Sequence, residues 1–469
     1  MKDNLNYIKK IYFLLGDHRK YFLIVIFSFF VLSLVEIFSI SLIFPYIAII
    51  VDNNVFYNSR INYFIESYNI NFFKNNLFEK LSILILIFFI VKFIISLILN
   101  YLVIYLTNKH ALKLRSLLYN ISMRQEYENF IKLNPANILF IIKEQVQRFQ
   151  VLIQFLFSFL GEFIIALFIF SLLIYISGTT VIYVFVLFIL LALLFDYIFK
   201  NKLYLIGKKN NEFEAKMIKS INQSIDGFKE ITLSNLLTFF SNDFNYNSKK
   251  NIDLRIKQSF INTIPRYFLE LSILILIIFL VFYNFYKDNL SSNLPIIGVY
   301  GVAFLRLMPI FNKFIVLLSN YRSSRNSVNI IYEFYFNNNK SFKLNKNVAK
   351  KLDFKSFSFK NLSFKYSNTN NFIFKNINFN FKSNQVVGLI GSSGVGKSTF
   401  LNLLVGLLSP SSGKVIINDD QSISNDIFIP SIAYLPQDAF LIDDDIYANI
   451  ALGEKNDTID FKKIDQVIK

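Results

Sequence analysis

Gly391-Ser392-Ser393-Gly394-Val395-Gly396-Lys397-Ser398 fits the phosphate-binding pattern G-x-x-x-x-G-K-[ST]. The run before it, Gln385-Val386-Val387-Gly388-Leu389-Ile390, reads as a buried strand. The run after it, Lys397 to Leu408, reads as a helix. A strand, a loop and a helix in that order are what a cradle for a nucleoside triphosphate requires. Glycines let the backbone curl so that successive N–H groups point at phosphate oxygens. The helix that follows offers its unpaired N–H groups and the positive end of its dipole to the same anion. In that pattern Lys397 reaches the β- and γ-phosphates, and the Ser398 hydroxyl ligates Mg²⁺. A chance Gly/Ser turn ahead of a helix is the alternative. Glycine is scarce, however, at 14 in 469 residues, so the cluster is not a product of composition.

The motif follows a long apolar region. Hydrophobic residues make up 54 % of the chain, and the mean hydropathy is +0.44. That excess lies before about residue 320 and exceeds what a soluble domain carries. With no cysteine, disulfides and thiolate metal sites are excluded. Two histidines, His18 and His110, stand apart in the sequence, which argues against a His-cluster metal site. The net charge of +17 raises the question of nucleic acid. In a membrane protein, Lys and Arg collect in cytoplasmic loops instead, so no nucleic acid partner is expected.

Six apolar stretches are long enough to span a bilayer as helix: near Phe22–Ile50, Leu81–Leu106, Val151–Ile176, Val181–Phe199, Phe260–Asn284 and Leu294–Ser319. The first is too long for a signal peptide core and has no small-residue cleavage site after it. The segment Thr107–Gln150 holds seven Lys/Arg and Lys200–Ser259 holds eleven. The loops Asp52–Asn76, Ser177–Thr180 and Phe285–Asn293 hold two, none and one. The positive-inside rule then places the N-terminus, both long loops and the C-terminal domain in the cytoplasm, which implies the cytoplasmic (inner) membrane. ATP is found on that side, so the phosphate loop supports the same orientation independently.

The two long loops are scarce in Pro and Gly, which predicts helices that carry the spans into the cytoplasm. A short helix is expected at each tip, near Glu126–Leu133 and near Gly227–Phe240. Asp52–Asn76 mixes aromatic and polar residues, and reads equally as a surface-lying helix or an ordinary loop. Glu36, Lys92, Glu162, Glu270 and Arg306 fall inside spans. Buried charges of this kind face a polar cavity or pair between helices.

After residues 1–336, a polar linker at 337–351 leads to a different kind of sequence over 352–469. Short alternating runs predict strands at Phe354–Phe359, Leu362–Tyr366, Ile377–Phe381, Val386–Ile390, Lys414–Asn418 and Ser431–Leu435.

Spans followed by this motif resemble the ATP-binding cassette (ABC) exporters, along essentially the whole chain. Tyr366, in Ser363-Phe364-Lys365-Tyr366, looks like the aromatic that stacks on adenine. Gln437, in Tyr434-Leu435-Pro436-Gln437-Asp438, looks like the Q-loop glutamine that contacts Mg²⁺ and the attacking water. Asp445-Ile446-Tyr447-Ala448-Asn449-Ile450-Ala451-Leu452-Gly453 resembles the segment after the Q-loop.

The resemblance implies a type I exporter fold: an α-helical membrane domain of six spans, then a partial α/β P-loop NTPase domain. The implied ATP-binding set is Tyr366, Gly391, Ser392, Ser393, Gly394, Val395, Gly396, Lys397, Ser398, Thr399 and Gln437, with Mg²⁺ on Ser398 and Gln437. The family's signature sequence, its strand ending in Asp-Glu and its switch histidine are expected beyond Lys469. As it stands the chain is therefore expected to bind ATP weakly or not at all, and not to split it.

Within the exporters the chain most resembles the lipid-linked oligosaccharide flippases and their relatives. The run from Glu36 to Pro45 is similar to their first span. Phe304-Leu305-Arg306-Leu307-Met308-Pro309-Ile310-Phe311-Asn312 is similar to their sixth, and Gly227-Phe228-Lys229-Glu230-Ile231 to their second cytoplasmic loop. Such flippases draw the substrate's pyrophosphate with basic cavity residues, and Lys92, Arg266 and Arg306 are the candidates here by position and charge. The implied partner is a second copy or a full-length ABC subunit. Export of peptide, lipid or drug remains an alternative. A non-hydrolysing ATP-binding membrane protein, or a non-functional remnant, is another of a different class.

Overall fold

Pro45 divides the first apolar stretch. Helix α1 (Lys2–Leu15) and a 3₁₀ turn, Gly16–Arg19, precede α2 (Lys20–Ser41), and α3 (Ile43–Val51) follows. A single helix would need an N–H at residue 45 for the Ser41 carbonyl, and proline has none. The chain bends at Leu42, whose N–H still reaches Phe38 O at 3.2 Å. The stretch expected as one span is thus two helices.

The computed structural model describes residues 2–51, 77–177, 180–286, 290–339, 354–367, 369–418, 421–422, 432–436, 439–454 and 459–468. The surface segment considered at Asp52–Asn76 and Gln437 lie outside them, as does most of the linker. The chain divides into two units: Met1–Gln125 with Asn129–Phe342, and Glu126–Glu128 with Lys343–Lys469.

In the first unit, α4 (Leu77–Met123) is 47 residues long. At 1.5 Å per residue that is about 70 Å, more than twice a hydrocarbon core, so it continues well past its span. The tip helix α5 (Tyr127–Lys132), whose first two residues group with the second unit, follows, then α6 (Pro135–Phe140), a π-helical turn at Ile141–Gln145, and α7 (Val146–Ser177). Next come α8 (Thr180–Asp226), the second tip helix α9 (Phe228–Leu233), α10 (Leu237–Tyr286), α11 (Leu290–Ser323) and α12 (Arg325–Asn339). Both tip helices fall where the sequence places them.

Among the described residues, five helical segments, two of them running through a break between helices, are long and apolar enough to cross a membrane. They are Leu23–Ile47, Phe78–Met123, Pro135–Tyr175, Leu237–Phe279 and Ile297–Ser323. The remaining expected span, Val181–Phe199, forms the start of α8. The core runs along the helix contacts, with Leu118, Phe149, Ile165 and Phe304 fully buried. Helices α2 and α7 approach so closely that a Cβ at Gly161 would stand 2.3 Å from Phe29 Cγ.

The second unit contains an antiparallel sheet in the order β2-β1-β3-β4: β1 Ser356–Phe364, β2 Phe374–Lys382, β3 Ser412–Ile417 and β4 Gln421–Ser422. The two strands expected at Phe354–Phe359 and Leu362–Tyr366 are one strand with an irregularity. Asn361 takes φ +46°, and Asn378 Oδ1 accepts from its N–H at 2.8 Å. The bulge lets one chain keep phenylalanines on the core side across the kink.

Helix α13 (Lys397–Leu404) is a turn shorter than expected. Gly406 at φ +76° ends it, and Leu408 N–H bonds Asn402 O at 3.1 Å. Val386–Ile390 is not a strand, and Val386 and Ile390 are fully exposed. A buried strand needs a neighbour for its backbone groups, and no described strand pairs with this segment. Residues 432–435 of the run expected at Ser431–Leu435 likewise form no strand, and Leu435 is exposed.

Candidate functional site

The phosphate loop is built by three backbone demands. Gly394 and Gly396 sit at φ +82° and +106°, conformations that side chains rarely adopt. A Cβ on Gly396 would also stand 2.7 Å from Ile373 Cγ2 and 3.1 Å from Phe374 Cζ. The loop then enters α13 with Gly396 as its N-cap, so the first N–H groups of the helix have no side-chain cap. Phe400 and Leu403 pin α13 to the sheet: the Phe400 ring lies edge-on to Phe359 at 5.0 Å and to Phe379 at 5.6 Å, and Leu403 is buried.

Lys397 folds back across the loop, its Nζ donating to Gly391 O (2.8 Å) and Ser392 O (2.7 Å). An ammonium group so held is placed to donate to a phosphate oxygen in exchange for the carbonyls. The donor set of curled backbone, free helix N–H groups and lysine fits a polyphosphate. Ser398 stands on the first turn of α13, where a hydroxyl can ligate Mg²⁺.

Tyr366 is joined to the loop's helix: its hydroxyl lies 3.3 Å from Thr399 Oγ1. Its ring stands edge-on to Phe364 at 5.0 Å. Thr399 is itself buried, while Tyr366 is half-buried beside the loop's helix. Further along, Asp445 caps α14 (Ile446–Ile450) by accepting from Ala448 N–H at 2.7 Å. Asn449 ties the turn before it, donating to Ile442 O, Asp444 O and Asp445 O and accepting from Ile442 N–H. Helix α15 (Phe461–Ile468) closes the described chain.

A second site lies in the membrane unit. Glu36 on α2 is fully buried, with Lys92 Nζ of α4 at 2.7 Å and Arg306 Nε of α11 at 2.9 Å from the same oxygen. Arg306 Nη2 also stands 3.2 Å from Glu162 of α7, and Lys313 Nζ of α11 2.6 Å from that carboxylate. Four helices thus contribute three cations and two carboxylates to one cluster, a surplus of one positive charge. Lys92 and Arg306 keep about a fifth of their side chains accessible. Arg266 is not brought to them: it pairs with Glu270 one turn along α10 at 2.8 Å, on an exposed face. Sequence reasoning missed Lys313 as a member, although its seven-residue spacing from Arg306 puts both on one helix face.

The two histidines, distant in sequence, are packed together. Their rings are 4.9 Å apart, edge to face. His110 Nε2 lies 3.0 Å from Leu14 O, whereas both His18 nitrogens are buried without a partner. Burial first, then neighbouring His110 and Lys113, hold the His18 imidazole down at about 4. Among the described residues no group of three or more potential ligands could hold a metal ion.

Comparison with known proteins agrees with this architecture. The family described as ABC transporter transmembrane region matches residues 22–293, and that described as ABC transporter matches 374–468. The multidrug resistance-like ATP-binding protein MdlB of Buchnera aphidicola is 27 % identical over 282 residues, 58 % of this chain and 45 % of that protein. The putative export ATP-binding/permease protein RT0691 of Rickettsia typhi is 37 % identical over 24 % of this chain and 20 % of its own. The ATP-dependent lipid A-core flippase of Ralstonia nicotianae is 31 % identical over 21 % and 17 %. The matches span less than half the length of each of these relatives. A bacterial Atm1-family ABC exporter solved with ATP bound superposes with a TM-score of 0.70 at 15 % identity, covering 96 % of this chain and 76 % of that one. That likeness is one of fold.

Proposed function

This chain belongs to the ABC transporter family through its transmembrane region, and from that premise we propose that it is one half of an ATP-driven exporter. Its substrate is an amphipathic molecule with an anionic head, such as a lipid-linked oligosaccharide, carried across the cytoplasmic membrane. The observation that supports this reading is the surplus positive charge of the Glu36–Lys92–Arg306–Glu162–Lys313 cluster. A diphosphate beside it would neutralise the extra cation, and Arg306 would meet it with two parallel N–H donors.

At the other site, Gly391–Ser398 holds the phosphates, Tyr366 stacks on the base, and Ser398 with Gln437 holds Mg²⁺. Bound ATP with Mg²⁺ supplies the closure energy for alternating access, and a second copy or a full-length subunit completes the motor.

The test is substrate-stimulated ATP hydrolysis by the transporter assembled with a full-length subunit in proteoliposomes. Arg306→Ala is expected to abolish stimulation by a polyprenyl-diphosphate glycolipid while leaving basal hydrolysis in place. Unchanged stimulation would sink the substrate assignment.

A further inference from the structure

A polar cavity of about 390 Å³ opens between α1 and α12, lined by Asn6, Tyr7, Lys9, Lys10, Arg325, Asn329 and Tyr332. It is separate from both sites above. Three of its lining side chains are cations and none is an acid. Glu333, one turn beyond Asn329, is exposed and not part of the lining. Among the described residues Lys9, Lys10 and Arg325 make no ion pair within 4.0 Å. Like charges gathered around one space repel, and an anion between them relieves the repulsion.

The cations are positioned rather than loose. Lys10 Nζ donates to Asn329 Oδ1 at 2.7 Å and lies 5.1 Å from the Tyr332 ring centroid. Arg325 lies 5.9 Å from the ring of Tyr7, which is itself buried and donates to Tyr321 O at 3.4 Å. Asn6 adds a further amide to the rim.

We propose that this cavity is a binding site for a phosphate-bearing anion, held between α1 and α12. The helical spacing of α1 favours a source on the aqueous side. Tyr7, Ile11, Leu14 and Leu15 form its buried face. Ile8 and Tyr12, exposed and apolar, flank that face on one side, the side suited to a membrane surface. Asn6 and Lys10 flank it on the other. Arg325 stands two residues past the apolar segment Ile297–Ser323, so in sequence it follows directly on a candidate span. A soluble phosphate compound and an anionic headgroup therefore share the required chemistry.

The experiment measures pyrophosphate binding to the full chain by titration calorimetry in phosphatidylcholine nanodiscs. A Lys397→Ala background removes the contribution of the phosphate loop. Binding is expected to persist there and to weaken about tenfold in Arg325→Ala or Lys10→Ala, the cost of one charge-assisted hydrogen bond. Arg325→Lys should recover part of it, and Lys249→Ala, an exposed cation elsewhere, should change nothing. Repeating the titration with phosphatidylglycerol in the disc separates the sources. Competition that Arg325→Ala abolishes assigns the site to a headgroup, and unaltered affinity assigns it to the aqueous anion. Pyrophosphate binding that is absent in phosphatidylcholine discs, or equal there in Arg325→Ala and the parent, overturns the proposal.

Discussion

Replacing Glu36 by glutamine removes the anion that two cations share. Its carboxylate is fully buried, with Lys92 at 2.7 Å and Arg306 at 2.9 Å. Three cations would then face the single carboxylate of Glu162. Breaking a buried pair by removing one partner costs about 3–5 kcal/mol, because the remaining charge stays desolvated. For a unit of this size each kcal/mol lowers Tm by about 2 °C, so a fall of about 6–10 °C is expected. Far-UV circular dichroism of the detergent-solubilised chain suits the measurement, since the protein has no cysteine for thiol-reactive dyes and no tryptophan. Lys92→Met in the Glu36→Gln background should restore part of the loss, giving a non-additive double-mutant cycle. Glu270→Gln, which disrupts an exposed pair within α10, should leave Tm unchanged. A Glu36→Gln protein melting within about 1 °C of the parent, or strict additivity with Lys92→Met, would refute the reasoning.

Three further outcomes follow from the described contacts. Gly396→Ala forces a side chain into φ +106° and against Ile373, a strain of about 1–3 kcal/mol; fluorescent ATP-analogue binding should be lost while the far-UV spectrum persists. Lys397→Ala should weaken the same binding by at least about tenfold, the loss of a charge-assisted contact, and leave the melting temperature of the membrane unit unaltered. His18 has a folded value of about 4 against 6.5 unfolded, so the unfolded chain takes up its proton first. The stability it contributes is full above about pH 6.5 and declines as pH falls through 4. His18→Phe, which fills the same space without unpartnered nitrogens, should flatten the dependence of Tm on pH over that window; an unchanged slope would exclude His18 as its source.

Some of this molecule is legible in one dimension. The phosphate loop is a local object: its glycines, lysine and serine are consecutive, and the φ values they need arise within a few residues. The spans and tip helices are legible because a helix satisfies its own backbone and announces itself by composition and length. What was not legible depends on partners distant in the chain. Whether Val386–Ile390 becomes a strand is decided by the presence of a neighbour, so an apolar, β-branched run misleads when none pairs with it. Pro45 was visible, yet its division of the first span follows from one missing hydrogen bond.

The sequence alone therefore determined the class of protein, its loop for phosphates and the set of charges inside the spans, since each rests on residue type and spacing. Only the tertiary structure decided which charges meet. It joined Lys92 and Arg306 on Glu36, added Lys313, set Arg266 apart, packed His18 on His110 and gathered Lys9, Lys10 and Arg325 around one cavity. Helical periodicity gives the face of a side chain on its own helix, but the identity of the facing helix depends on how whole helices pack.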